Sequence, residues 1–325
     1  MEHRVRISQP GTADVLSYEP FDLPEPGPDE ALIRHRAIGV NMIDTYHRSG
    51  LYQVSLPATL GVEASGVIER LGPQSIDHGL REGQRVVYTA QTPGAYASVR
   101  LMPTERLVPV PDEVSDEVAA ASFLKGLTAE LLVRRVHSVR FAEPVLLHAA
   151  AGGVGLLALQ WLTDVGAKVI ATVGTDEKAE LAKQHGADHV IVYTREDFKT
   201  KVRELYPEGV PIVYDSVGKA TFEGSLDCLS VRGMLVSYGN ASGKPPPIEV
   251  GMLAAKGSLF LTRPTLYSYI RTRQELLEAA SALFGMLKRG ALKTHITERF
   301  PLSEAAAAHR ALEGRKTTGQ LLLIP

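Results

Sequence analysis

A glycine-rich turn at residues 150–155 is the clearest candidate for chemistry in this chain; its sequence is AAGGVG. It follows an apolar run, 145–149, that predicts a strand, and a helical pattern begins at once after it. Small residues at 150, 152 and 155 have the spacing of a dinucleotide fingerprint: a tight turn, close approach of backbone to pyrophosphate, and close helix–strand packing. The helix N-terminus would also present donors and a positive dipole end to the phosphates. We therefore predict a nucleotide site, with Ala150 replacing the first glycine and a purely structural turn as the alternative.

The end of the next predicted strand, 168–173, indicates which nucleotide is bound. Enzymes that use NAD place an acidic residue there against the ribose 2′-hydroxyl. Here the strand is followed by Gly174 and Thr175, and Lys178 lies one turn into the following helix. A cation attracts a 2′-phosphate, so the sequence favours NADP(H) over NAD(H). The alternative is an ordinary acidic first turn, Asp176 and Glu177, with Lys178 in solvent.

The nucleotide turn belongs to a region in which apolar strands alternate with amphipathic helices. Strands that are apolar throughout and separated by helices predict a doubly wound parallel sheet of the Rossmann type, an α/β fold. The predicted strands are 145–149, 168–173, 189–193, 211–214, 234–238 and 258–262; the predicted helices are 119–137, 155–165, 176–185, 196–206 and 220–229.

The region before it, 1–123, has short segments broken by glycine and proline, which predict a compact β domain or partial barrel. The tail, 265–325, does not continue the alternation, and we expect it to return and complete this first domain. Ser303 is the expected N-cap of the second tail helix. The predicted strands are 4–8, 31–40, 66–71, 85–88, 95–99 and 320–324, and the tail helices are 273–289 and 303–313.

Composition sets limits on the protein's class. With 325 residues, 44% hydrophobic and 22% charged, the chain predicts two globular domains. Its net charge of −2, without a basic stripe, makes nucleic acid an unexpected partner. No apolar run reaches the ~18 residues of a membrane span, and the first ten residues do not resemble a secretory signal. Cys228 is the only cysteine, so we expect no internal disulfide and a cytoplasmic location.

The domain order is that of the medium-chain dehydrogenases, many of which hold a catalytic zinc through cysteine and histidine. Asn41 stands where such enzymes carry the cysteine, and Val62 stands where they carry the histidine. Neither residue can supply a thiolate or an imidazole. We therefore expect no metal and no Lewis-acid assistance, which disfavours alcohol dehydrogenation.

Six stretches along the whole chain resemble one branch of this superfamily: 41–52, 120–128, 148–155, 214–218, 237–240 and 262–264. On these the sequence resembles the zinc-independent quinone oxidoreductases, the branch that includes zeta-crystallin, and it is most similar to the bacterial NADPH:quinone reductases. The resemblance implies a GroES-like partial β-barrel catalytic domain at 1–123 and 265–325 and a Rossmann NADP-binding domain at 124–264. The implied activity is reduction of a quinone by NADPH without zinc.

The resemblance also implies site residues. Asn41 and Tyr46 would border the nicotinamide and the acceptor as catalytic residues. Lys178, Gly174 and Tyr193 would surround the 2′-phosphate. The full implied cofactor set is Asn41, Tyr46, Thr128, Gly152, Gly153, Val154, Gly174, Lys178, Tyr193, Ser216, Asn240, Thr262, Arg263 and Arg315. Simpler interpretations stay open: a turn cap for Asn41, a core residue for Tyr46, a surface ion pair for Arg263 and a strand end for Tyr193.

Three other residues are expected to be structural, namely His47, His148 and the small buried Cys228. Two other functions stay open. One is an NADPH-dependent 2-alkenal or enone reductase, which would share every cofactor residue. The other is an RNA-binding or structural crystallin-like protein. We expect a homodimer formed through the sheet edge at 258–262. The sequence ranks neither the acceptors nor one-electron against two-electron reduction.

Overall fold

The computed structural model describes residues 1–314 and 317–325. It divides into two compact units. The first comprises Met1–Leu127, Ile270–Gly290 and Thr294–Pro325, and the second comprises Thr128–Tyr269 and Ala291–Lys293. The predicted boundaries fall after residues 123 and 264, and the structure divides after Leu127 and Tyr269.

The first unit is built from mainly antiparallel sheets. Its strands are β1 (Glu2–Ile7), β2 (Ser17–Phe21), β3 (Glu30–Val40), β4 (Ala58–Thr59), β5 (Glu63–Leu71), β6 (Arg85–Thr89), β7 (Val99–Pro103), β8 (Val108–Pro109), β15 (Ile296–Pro301) and β16 (Gln320–Ile324). One sheet has the order β2-β1-β4, and the other has the order β15-β16-β3-β5-β6-β8 with β7 also paired to β3. The tail strand β16 runs antiparallel to β3, with Leu322 opposite Gly39.

The long strand β3 places this unit's core. Ile33 and Ile38 are fully buried and pack in one cluster with Tyr88 and Tyr96. Burial of an apolar side chain such as that of Ile33 or Ile38 stabilises the fold by about 1.5–3 kcal/mol. The helices of this unit are α1 (Met42–Ser49), α2 (Asp116–Glu130, whose last three residues belong to the second unit), α8 (Arg273–Lys288) and α9 (Ala305–Glu313).

Two predictions in this unit are wrong. The sequence predicts a strand at 95–99, but the regular strand, β7, begins only at Val99. The reason is that Ala95 and Tyr96 donate their backbone N–H groups to the carbonyl oxygens of Gly61 and Leu60, which lie in a loop. Within this run Ala97 forms an isolated bridge with Arg4 rather than a regular strand. Ser303 is not an N-cap: a 3-10 turn, Leu302–Glu304, precedes α9, and Glu304 occupies the cap.

The second unit is a six-stranded parallel sheet. Its strands are β9 (Pro144–His148), β10 (Lys168–Val173), β11 (His189–Val192), β12 (Val210–Asp215), β13 (Leu229–Ser237) and β14 (Phe260–Thr262). Their order, β11-β10-β9-β12-β13-β14, is the 3-2-1-4-5-6 order of a Rossmann sheet, and every pairing is parallel. The predicted fold class is confirmed.

Helices separate these strands along the chain. They are α3 (Gly153–Val165), α4 (Asp176–Gln184), α5 (Phe198–Leu205), α6 (Phe222–Asp227) and α7 (Val250–Ala255), and a π-helical segment, Leu131–Val136, follows α2. Cys228 lies between α6 and β13 and is fully buried in the core with Phe222 and Leu226. Burial raises the pKa of its thiol to about 12. Cys228 is thus a small buried core residue, as predicted.

Candidate functional site

Predicted cofactor residues of the second unit collect at one edge of the parallel sheet. Because all six strands are parallel, the segments that follow their carboxyl ends meet at that edge, where nucleotides bind in open α/β sheets. Thr128 is the exception, since it lies on α2. The residues at the edge are Gly152, Gly153 and Val154 after β9, Gly174 and Lys178 after β10, Tyr193 after β11, Ser216 after β12, Asn240 after β13, and Thr262 and Arg263 at the end of β14. Arg315 lies outside the described residues.

The turn after β9 is shaped for close approach to its backbone. Ala149 adopts a φ of 52°, in the left-handed region, and its carbonyl oxygen accepts from Gly152 N–H at 2.9 Å. Gly152 is the N-cap of α3 and supplies no side-chain cap. A Cβ on Gly155 would overlap the Ala149 carbonyl oxygen, so the helix can approach the strand only with glycine there. The geometry is that of the dinucleotide fingerprint.

The segment after β10 combines a cation with a neutralised acid. Thr175 caps α4 by accepting from the Lys178 N–H at 3.3 Å, which places Lys178 in the first turn. Asp176, in the same turn, is held by Arg195 through two hydrogen bonds of 2.6 and 2.8 Å. Tyr193 lies close by, since its hydroxyl would be 2.8 Å from a Cβ on Gly174. Sequence reasoning missed Arg195, whose only signal is its position just after a strand.

The loop after β12 is held by a buried carboxylate. Asp215 is fully buried and accepts from the N–H groups of Val217 at 2.8 Å and Gly218 at 3.0 Å. These bonds fix the loop that carries Ser216. Arg263, directly after β14, donates to the carbonyl oxygens of Ser237 at 2.8 Å and Gly239 at 3.3 Å, at the end of β13 and in the loop that follows it. Both loops are thereby tied to the sheet edge.

His148 is a structural residue, as predicted. Its Nδ1 lies 2.8 Å from Thr172 Oγ1 and its Nε2 lies 3.1 Å from Ser225 Oγ. The ring is buried, and burial lowers its pKa. Both ring nitrogens are therefore engaged in joining β9 to its neighbours.

In the first unit, Asn41 is the N-cap of α1 and is almost fully buried. Its backbone N–H donates to Asp44 Oδ2 at 2.8 Å, which starts the helix. Its side-chain Nδ2 donates to Glu63 Oε2 at 2.9 Å and to the Gly39 carbonyl oxygen at 3.3 Å. Asn41 is thus a turn cap, and its amide also takes part in a buried polar cluster.

Glu63 and Lys125 complete this cluster. Glu63 is the first residue of β5 and is fully buried; Lys125 lies on α2 with its side chain 8% exposed. Lys125 Nζ is 3.8 Å from Glu63 Oε2, and the backbone N–H of Leu124 donates to Glu63 Oε1 at 2.5 Å. Burial raises the pKa of Glu63 and lowers that of Lys125, while each charge opposes the shift of the other.

A second polar chain runs from Asp44 towards the surface. Tyr96 donates its hydroxyl to Asp44 Oδ2 at 3.1 Å and lies 3.0 Å from His309 Nε2. His309 Nδ1 is 3.2 Å from the guanidinium of Arg48, which pairs with Glu313 at 2.6 Å. Burial raises the pKa of Asp44 to about 7. Burial, and then the Arg48 charge, lower the pKa of His309 to about 3.

Tyr46 lies on α1 and is half-buried. Its ring packs edge-on against Tyr52, with centroids 5.2 Å apart. Nearby in sequence, His47 and Gln53 line a cavity of about 610 Å³ within the first unit. Arg4 and Arg100 also line it, and no carboxylate does among the described residues. His47 Nδ1 has no hydrogen-bond partner in the described part of the chain, so its predicted structural role is only partly satisfied.

The zinc-ligand positions of the fold do not fit a metal here. Asn41 directs its amide nitrogen to Glu63, and Val62 is a fully buried hydrocarbon side chain. Among the side chains that the structure describes, no three from His, Cys, Asp or Glu are grouped as metal ligands.

Sequence reasoning missed Glu63, Lys125 and Asp44. The available signal was a charge in an otherwise apolar surrounding, as at Lys125 between Leu124 and Gly126. Charged residues are rarely fully buried unless paired. Because Lys125 and Glu63 are 62 positions apart, only the fold shows that they form a pair.

Comparison with known proteins agrees with this architecture. The family model for an alcohol dehydrogenase GroES-like domain matches residues 27–112, and the model for a zinc-binding dehydrogenase matches residues 153–284. Together with the sheet order, these matches place the fold among the medium-chain dehydrogenases/reductases.

Individual relatives narrow the family. A quinone oxidoreductase from Pseudomonas aeruginosa is 46% identical, with 100% of each chain covered. A crystal structure of Escherichia coli quinone oxidoreductase complexed with NADPH has a TM-score of 0.97 and 45% identity, covering 99% of this chain and 100% of that one. A 2-haloacrylate reductase from Burkholderia sp. is 43% identical, with 98% of each chain covered. The chain belongs to the quinone oxidoreductase family. Within the described residues, no helix has the length and hydrophobicity needed to cross a bilayer.

Proposed function

We propose that the protein is an NADPH-dependent quinone oxidoreductase that works without a metal. The observation that carries the proposal is the sheet edge at which the segments after six parallel strands present the predicted cofactor residues. Full-length similarity to a quinone oxidoreductase complexed with NADPH supports it.

The residues at that edge fit a phosphorylated dinucleotide. The N-terminus of α3, with Gly152 as cap and no side chain in the way, suits the pyrophosphate. Lys178 supplies a cation for a 2′-phosphate, and Arg195 neutralises Asp176, the acid that would otherwise repel it. Gly174 and Tyr193 form the remaining wall. When bound, NADPH would supply a hydride.

In the first unit, Asn41 would orient the acceptor and Tyr46 would donate a hydrogen bond to it. A quinone is already a strong electrophile, so orientation and proximity matter more than acid catalysis. Protons for the reduced oxygens can come from solvent or from a nearby hydroxyl such as that of Tyr46. The residues of the site therefore have to hold and orient the acceptor and do not have to activate it.

The test is oxidation of NADPH by the purified protein with 1,4-benzoquinone and larger quinones, with NADH as the control. We expect turnover with NADPH and quinones, and much weaker turnover with NADH. Failure to bind NADPH at micromolar concentration, or zinc found in a one-to-one ratio with the chain, would contradict the proposal.

A second candidate acceptor is an activated alkene that carries an acidic group. The cavity of the first unit favours it through Arg100, which lines this cavity and has a buried nitrogen, Nη1, without a hydrogen-bond partner among the described residues. Arg4 also lines the cavity, but it is paired with Glu19 at 2.8 Å. The similarity to a 2-haloacrylate reductase agrees with this chemistry. Adding 2-chloroacrylate and uncharged enones to the acceptor panel separates the two: faster turnover of the acid than of any quinone would favour the second candidate.

We also propose a homodimer and a cytoplasmic location. The edge strand β14 leaves one side of the sheet unpaired, and Phe260 on it is 56% exposed. Val231 and Val250 of the same unit are also exposed hydrophobic residues. Such a surface is typical of a contact between copies. Light scattering should give twice the chain mass, and Phe260→Lys should shift it to the monomer; a monomeric wild type would exclude the dimer.

A further inference from the structure

The cluster around Glu63 contains more charge than a simple turn needs. Glu63 is fully buried and Lys125 is nearly so. Burying a charge is costly unless it is paired and hydrogen-bonded. An apolar pair of similar size would fill the same space at lower cost, so the chemistry of these two groups needs an explanation.

Donors converge on the Glu63 carboxylate. Leu124 N–H reaches Oε1 at 2.5 Å, and Asn41 Nδ2 reaches Oε2 at 2.9 Å. An ionised carboxylate only accepts hydrogen bonds, whereas a protonated one must also donate. The arrangement therefore suits the ionised form, in which both oxygens accept.

The backbone leaves room for this carboxylate. A Cβ on Gly39 would overlap Glu63 Oε2 and would lie 2.5 Å from the Ala120 carbonyl oxygen. The Gly39 carbonyl oxygen also accepts from Asn41 Nδ2 at 3.3 Å. Glycine at this position on β3 thus makes space for Glu63 and helps to hold the Asn41 amide.

Lys125 supplies the balancing charge. Its Nζ lies 3.8 Å from Glu63 Oε2 and has no hydrogen-bond partner among the described residues. At this distance the ammonium acts on the carboxylate mainly by its charge, and its effect is strong because water is excluded. Lys125 therefore favours the acceptor-only form of Glu63.

We propose that Lys125 and Glu63 are positioning residues for the acceptor site: the ammonium keeps Glu63 ionised, and the ionised carboxylate holds the nitrogen end of the Asn41 amide inward. The inference rests on the proposed function, because the role of Asn41 beside the acceptor belongs to it. In a protein whose zinc-ligand positions hold Asn41 and Val62, a buried ion pair would thus fix the orientation of the group that meets the substrate.

Glu63→Gln tests the orientation. A glutamine carries one acceptor oxygen and one donor nitrogen in place of two acceptors. It cannot accept from both Leu124 N–H and Asn41 Nδ2 through separate oxygens, so the Asn41 amide must turn or lose its partner. We expect kcat for quinone reduction to fall about tenfold, as for other misplaced orienting groups. Affinity for NADPH should stay within about twofold, since the nucleotide edge is untouched.

The double variant Lys125→Met/Glu63→Gln separates positioning from stability. Lys125→Met alone leaves a buried carboxylate unpaired and should lower the melting temperature. The double variant removes both charges, and we expect the melting temperature to recover while kcat stays low. Recovery of kcat together with stability would overturn the inference, because it would show a purely structural ion pair. The exposed pair Lys288 and Glu113 of the same unit, changed to Met and Gln, is the matched control and should alter neither quantity.

A measurement independent of activity completes the test. The side-chain amide resonances of Asn41, assigned with Asn41→Ala, should exchange slowly with solvent in the wild type. They should shift and exchange faster in Glu63→Gln and in the double variant. Unchanged Asn41 resonances in both variants would overturn the inference. If the wild type reduced no acceptor but the Asn41 resonances moved as expected, the proposed function would fail and the assigned orientation would stand.

Discussion

The two units shape their candidate sites by different means. In the second unit the backbone gives the site its shape, and in the first unit buried charged side chains do so. At the sheet edge, a left-handed Ala149, a capping Gly152 and a glycine at 155 shape the turn. Around Asn41, the buried side chains of Glu63 and Lys125 set the geometry. Backbone shape suits a cofactor that every turnover shares, and a side-chain cluster is easier to adapt to different acceptors. The contrast also predicts which substitutions should act on cofactor binding and which on turnover.

The largest effect is expected from Gly155→Ala, which tests the main-chain side of the comparison. The added methyl group would overlap the Ala149 carbonyl oxygen and push α3 from β9. We expect a loss of about 3 kcal/mol in unfolding free energy and about 100-fold weaker NADPH binding, measured by denaturation and by NADPH fluorescence. Gly251→Ala in the same unit is the control, since nothing lies within 4 Å of its new Cβ. Normal NADPH affinity in Gly155→Ala would show that the turn does not shape the site.

Gly39→Ala is the corresponding test on the buried-charge side. The methyl group would displace the Glu63 carboxylate, so we expect a stability loss of about 2 kcal/mol and a lower kcat. NADPH affinity should change little, in contrast to Gly155→Ala. Gly285→Ala, where the new Cβ meets nothing within 4 Å, is the control in this unit. Equal losses of NADPH affinity in the two glycine variants would break the comparison.

Lys178→Glu sharpens the description of the nucleotide edge. It replaces a cation by an acid in the first turn of α4. The new carboxylate would repel the 2′-phosphate that Lys178 is proposed to attract. We expect the preference for NADPH over NADH, measured as a ratio of kcat/KM values, to fall by about tenfold or more. Lys183→Glu at the far end of the same helix is the matched control. A preserved ratio in Lys178→Glu would assign the selectivity elsewhere.

His309→Gln tests the buried polar chain through pH. The folded-state pKa of His309 is about 3, below its ordinary value of 6.5, so the unfolded chain binds the extra proton. This group therefore stabilises the fold above pH 6.5, and the stability is lost as pH falls through the window between these values. On the acid side, the slope of the unfolding free energy against pH should be smaller in the variant. The reduction should be up to about 1.4 kcal/mol per pH unit, which corresponds to one proton.

Asp44 acts in the opposite direction. Its raised pKa, about 7, contributes stability that is present at low pH and lost as pH rises through neutrality. Denaturation of the wild type and the variant across the same pH range isolates His309, because Asp44 is present in both. The exposed His295→Gln is the control. An unchanged slope in His309→Gln would show that the fold does not lower the pKa of His309.

Tyr46→Phe should have the smallest effect. Its ring contact with Tyr52 is preserved, and the substitution removes the hydroxyl that would donate to the acceptor. We expect kcat to fall about threefold, the loss of an ordinary neutral hydrogen bond. Steady-state kinetics with Tyr18→Phe as the control give the measurement. Complete inactivity would instead make the Tyr46 hydroxyl an essential proton donor.

The same contrast explains what the sequence could predict. The Rossmann sheet and the turn at 150–155 follow from local patterns: apolar strands, small residues at fixed spacing and a helix directly after them. The first unit's cluster joins residues on β5, α1 and α2, which no local pattern connects. Its short strands were also less regular: the buried run at Ala95 and Tyr96 has the composition of a strand but bonds to a loop. Contacts between residues that are distant in the sequence determine both the buried cluster and the irregular strand, so neither could be predicted from local patterns.

The burial of Cys228 has a consequence for an enzyme that handles electrophiles. Quinones and activated alkenes alkylate thiols by conjugate addition, and the attacking species is the thiolate. The only sulfhydryl group of this chain is enclosed in the core, with its pKa raised to about 12, so it stays protonated and out of reach. Under the proposed function, the protein can therefore turn over its acceptors without being inactivated by them through cysteine.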